Sequence, residues 1–101
     1  MNTDQVNWNA YVNYHSWGGT HTATAWPGDK VTSKTTLNGK TWFYKDYTLT
    51  KADDYVNFVF SIGSASNASA NQTMDIERVK KTSYFVISST KENGKYVVNN
   101  V

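Results

Sequence analysis

Apolar and polar side chains alternate along most of this chain with a period of two, and strong helix formers never accumulate at helical spacing. Alternation of that kind suits a strand with one face covered and the other in water. In the first such run Tyr11, Asn13 and His15 lie on one side and Ala10, Val12 and Tyr14 on the other. This predicts a half-buried strand with Tyr11 and Asn13 toward solvent. The small-residue loop that follows would bring Trp26 back beside them, making a flat aromatic platform.

The strongest core strand is YVNFVFS, where Val56, Phe58 and Phe60 oppose Tyr55, Asn57 and Val59. Residues 31–37 are Thr-rich and extended, and Asn38-Gly39 marks a hairpin turn. Residues 41–49 read as a strand with aromatics at both parities, which fits either two covered faces or a bulge that shifts the register. Residues 62–71 are small and polar without an apolar anchor, predicting a mobile surface loop before strands resume at 71–79. A second hairpin is expected about Asn93-Gly94, pairing 84–88 with 95–99. About seven or eight short strands between turns argue an all-β fold, an antiparallel β-sandwich of immunoglobulin-like type. Trp8, Trp42 and Tyr44 are expected in its core, since so small a sandwich needs large residues to fill it.

Length and composition sharpen this picture. At 101 residues the chain makes one domain, with room for a core but little for a buried multi-part active site. Aromatics reach 15% of residues against 18% charged, so aromatic surface is the unusual resource. The net charge of +2 comes from scattered lysines, without the basic stripe of a nucleic-acid binder. Cysteine is absent, which excludes disulfides and thiolate metal sites. No apolar run approaches the roughly 20 residues of a membrane span, and the polar start MNTDQ is not a signal peptide.

Candidates for chemistry are poor. His15 and His21 flank a Gly-Gly loop at no familiar metal spacing, and Asp53-Asp54, being adjacent, point apart and read as a turn cap. No nucleophile elbow or phosphate-cradling glycine loop is present. The expectation is therefore no catalysis, no metal and no cofactor. Asn67-Ala68-Ser69 and Asn71-Gln72-Thr73 match the glycosylation acceptor pattern, as chance allows in an Asn-rich chain. Binding fits better. A sugar presents an apolar C–H face and a rim of hydroxyls, and Tyr, Trp, Asn and Gln supply the plane and the edge contacts. Trp26, ahead of a proline in a polar loop, is the foremost stacking candidate.

The array of Trp8, Ala10-Tyr11-Val12-Asn13 and Ala25-Trp26-Pro27-Gly28 resembles the starch-binding carbohydrate-binding modules of family 26, and of the related family 25. Gly39-Lys40-Thr41-Trp42, Val56-Asn57-Phe58-Val59-Phe60 and Asn71-Gln72-Thr73-Met74-Asp75-Ile76 follow in the family's order, so the resemblance spans nearly the whole chain. It implies a β-sandwich that binds α-1,4-glucan without cleaving it, appended to a bacterial amylase or starch-handling surface protein. By position it puts the stacking residues on Tyr11 and Trp26, and hydroxyl contacts on Gln72 and, more weakly, Asn71. Asn13 stands where family 26 has its second stacking tyrosine and implies a hydrogen-bonding role, the displaced ring coming from His15, Tyr14 or Trp17. An extracellular or cell-surface module, monomeric within a multidomain parent, follows. The rivals are a structural immunoglobulin-like spacer with all aromatics in the core, and a barrel binding single-stranded nucleic acid.

Overall fold

The computed structural model describes residues 1–101 and is built almost wholly of strands. Val12–Trp17 (β1) and Val56–Ser61 (β5) form its middle, because Val12 and Tyr14 from one, and Val56, Phe58 and Phe60 from the other, supply a buried face. Their antiparallel register sets Tyr14 against Phe60 and His15 against Val59. The Tyr14 ring consequently meets Phe60 edge-on at 4.8 Å between centroids. Asp29–Val31 (β2) and Ile76–Val79 (β6) complete a four-stranded sheet in the order β2-β1-β5-β6.

Two hairpins supply the remaining strands. Lys34–Leu37 (β3) pairs with Lys40–Phe43 (β4), and Phe85–Glu92 (β7) with Lys95–Asn100 (β8). Both turn where Asn-Gly predicted, with φ of 51° and 76° at Asn38-Gly39 and 53° and 77° at Asn93-Gly94. Positive φ at both central residues matches the right-handed twist of the flanking strands. Phe43, Phe85 and Ile87 from these hairpins join Tyr14, Phe58 and Phe60 in one core. Each fully buried Phe or Ile side chain contributes about 1.5–3 kcal/mol. The result is an all-β, sandwich-like fold.

The N-terminal residues tie the hairpins together, which the alternation pattern did not predict. Asn2 N–H donates to Phe85 O at 2.8 Å and Asn2 O accepts from Ile87 N–H at 3.1 Å, while Met1 and Phe43 exchange bonds of 2.6 and 2.8 Å. Burial lowers the Met1 amine from 8.0 to about 6.

Several expectations are corrected. The strand expected over 41–49 ends at Phe43, and residues 44–50 are irregular. Trp8 is in the core at 6% exposure, but Trp42 is half-buried, because on β4 it has the parity opposite to the buried Phe43, and Tyr44 is 47% exposed, just past the end of that strand. The loop at 62–71 does have an anchor. Ala68 opens a short 3-10 helix over Ala68–Asn71 and is fully buried, so the small side chain is what lets the loop pack down.

Candidate functional site

On β1 the odd positions project away from the core, in a row spaced by about 6.6 Å. Tyr11, His15 and Trp17 are half-buried. The loop after Trp17 returns to β1, donating Thr24 N–H to Ser16 O at 3.0 Å, and Thr24 Oγ1 meets His15 Nδ1 at 2.9 Å. The loop then closes on Gly28, whose φ of 100° only glycine takes up readily, and a Cβ there would overlap the Tyr14 and His15 backbone. This close approach delivers Trp26 to His15.

The imidazole becomes the centre of three rings. Its centroid lies 5.3 Å from Trp17, tilted by 35°, and 5.3 Å from Trp26, at 78°. Trp26 thus stands edge-on, and the rings form a corner instead of the flat platform expected. His15 and Trp17 both face outward, whereas Tyr14, the other candidate for the displaced ring, is 5% exposed on the core side.

Asn13 is corrected too. Its side chain is 3% exposed, because Nδ2 donates to Ser61 Oγ at 3.1 Å and to Gly63 O at 2.9 Å. It shares the outward parity but is spent on holding the Gly63 loop. Tyr11 helps, its hydroxyl accepting from Gly63 N–H at 3.2 Å, while Lys30 Nζ lies 4.4 Å from its ring centroid. The Tyr11 ring therefore offers at most its other face.

Gln72 bridges Ser61, which pairs Asn13, so Gln72 shares the sheet face of the aromatic corner. Its Nε2 donates to Ser69 O at 3.1 Å, leaving the carbonyl oxygen for a ligand. Asn71 does not join this group through its amide, which donates to Asn67 O at 3.3 Å within the 3-10 turn.

Electrostatics add a residue that the sequence did not single out. Desolvation lowers the His15 pKa from 6.5, and the charge of Asp75 opposes that shift. Asp75 is thus the acidic residue whose charge is felt at the corner. Its only signal in the sequence was its membership of the Asn71–Ile76 motif.

A second grouping also escaped the sequence. Ser16 Oγ and His21 Nε2 lie 2.7 Å apart, the separation of a nucleophile and its base. Ser16 is fully buried, however, and Tyr47 packs edge-on to His21 at 5.5 Å. Tyr47 Oη is buried with no partner at hydrogen-bonding distance, and burial pushes its pKa up, opposed by the neighbouring Ser16 hydroxyl. Asp54, adjacent to Asp53, is a turn anchor: it accepts from Thr20 Oγ1 at 2.6 Å and from the N–H groups of Thr20, Thr50 and Tyr55 at 2.9–3.0 Å. The Thr20 hydroxyl, then the Thr50 and Thr20 amides, hold its carboxyl far below the usual range. These contacts fix the loop that carries Trp26 back to β1.

Comparison of the chain with protein-family models, curated proteins and solved structures returns no match.

Proposed function

We propose that this chain is a non-catalytic carbohydrate-binding module for α-1,4-glucans, gripping the sugar at the corner of His15, Trp17 and Trp26. The observation that carries the reading is the gathering of these half-exposed rings on the outward face of β1, 5.3 Å apart. Ring faces take the C–H faces of glucose units, while Gln72 and the free His15 nitrogen meet hydroxyls. A corner suits the curved α-linked chain, whereas an extended β-linked ribbon suits a flat surface. The motif resemblance to starch-binding modules points the same way. Such a ligand implies work outside the cell or at its surface, as part of a larger glucan-handling protein.

Two stacked rings give a few kcal/mol at about 25 cal/mol per Å², before the costs of association. Dissociation constants in the micromolar to millimolar range follow, roughly −8 to −4 kcal/mol. Affinity electrophoresis with and without amylopectin tests this. Wild-type protein should be retarded and Trp26→Ala should run freely at an unchanged fold, while equal binding of cello-oligosaccharides would overturn the α-glucan assignment.

A further inference from the structure

The opposite side of the four-stranded sheet carries aromatic surface of its own. A cavity of about 390 Å³ lies there, reached by the core-facing rings of Tyr14 and Phe58 and lined also by Trp42, Tyr44 and Tyr84. Among all aromatic residues, only Tyr44 at 47% and Tyr84 at 44% are exposed, the others being buried or half-buried, and both line this one cavity. Trp42 and Tyr84 meet at 84° with centroids 6.0 Å apart, a second angular pair of ring faces. The Trp42 Nε1–H donates to Leu37 O at 3.4 Å, within its own hairpin, so the indole is held by a rigid element.

The polar lining matches the same ligand chemistry. Lys45 pairs with Asp29 at 3.8 Å in the only ion pair of the chain, which leaves Asp46 and Lys81 uncompensated on the cavity lining. Aromatic faces flanked by a free carboxylate, an ammonium and threonine hydroxyls can meet both the C–H face of a sugar and its hydroxyl rim.

We propose that Trp42, Tyr44 and Tyr84 form a second α-glucan site, back to back with the His15 corner across the four-stranded sheet. The inference rests on the proposed glucan-binding function. Because His15 and Tyr14 project from opposite faces of β1, one continuous chain lying on one face does not fill both sites. The module then holds two glucan strands at once and cross-links a branched polysaccharide, gaining avidity on a multivalent surface.

Isothermal titration with maltoheptaose separates this inference from the reading beneath it. The expected result is two oligosaccharides per chain, falling to one in Trp26→Ala and to one in Trp42→Ala. Tyr84→Ser, exposed and outside the core cluster, should also leave one at an unchanged melting temperature, which covers the case in which Trp42→Ala misfolds. Light scattering of amylopectin should rise with wild-type protein and with neither single-site variant. One site per chain, abolished by Trp26→Ala and untouched by Tyr84→Ser, would overturn the second site and leave the function standing. No binding by wild type would overturn both. Self-association removed by Tyr84→Ser, with a stoichiometry of one, would assign the patch to a second copy of the chain and also refute the inference.

Discussion

His15 sits where two requirements meet: it centres the aromatic corner and fastens the Trp26 loop through Thr24. Desolvation depresses its pKa below 6.5 in the folded chain, so the unfolded chain binds the proton more readily. The stability held in a neutral His15 is complete above pH 6.5 and is lost as pH falls through the lower, folded value. Asp54 acts with the same sign in a separate window. Its carboxyl, held down chiefly by the Thr20 hydroxyl, contributes above its ordinary value of 3.8 and loses that contribution as the medium becomes more acidic. Thermal melts from pH 8 to 2 should therefore fall in two stages. The buried Met1 amine, lowered from 8.0 to about 6, shares the upper stage, so His15→Gln should shrink that stage without removing it and spare the lower one; an upper stage unchanged by that substitution would contradict the assignment.

At the scale of elements, the glycine that joins the Trp26 loop to β2 decides the geometry of the corner. Gly28→Ala forces a left-handed φ on a residue with a Cβ and drives that Cβ into the backbone of Tyr14 and His15. It should cost about 2 kcal/mol or more and weaken glucan binding by displacing Trp26. Gly39→Ala makes the control, since φ there is also positive but nothing lies within 4 Å of the added carbon. It should cost about 1–2 kcal/mol and leave binding at the corner intact, as melting and titration of the pair would read. The contrast marks what the sequence made legible. Both Asn-Gly hairpins, β5 as the core strand and the outward parity of Tyr11 and His15 follow from local rules, because turn chemistry and alternation act within a few residues. The burial of Asn13, the anchor at Ala68 and the Ser16–His21 contact depend on what the rest of the chain brings alongside. Trp26 could be nominated from its loop, but its right-angle approach to His15 is set by the tight passage of Gly28 over β1.

For the whole molecule, a net charge of +2 spread over the surface and an uncharged ligand predict affinity indifferent to salt. Raising sodium chloride from about 50 to 500 mM should leave the dissociation constant for maltooligosaccharide nearly unchanged. Phosphate contacts from Lys30 or its neighbours would instead make affinity fall steeply, and that result would favour a nucleic-acid ligand.

The clasp of the N-terminal residues also governs how the fold can be reached. Met1 completes its bonds on Phe43 and Asn2 on Phe85 and Ile87, so the segment ahead of β1 is not fully docked until β7 has been made. Together with a core drawn from β1, β5 and β7, this gives the chain contacts of long sequence separation and puts it with the slow, millisecond-to-second folders. A nascent chain stalled before Phe85 leaves the Asn2 backbone unpaired and its aromatic core half open, with the β7–β8 hairpin as the piece that shuts it.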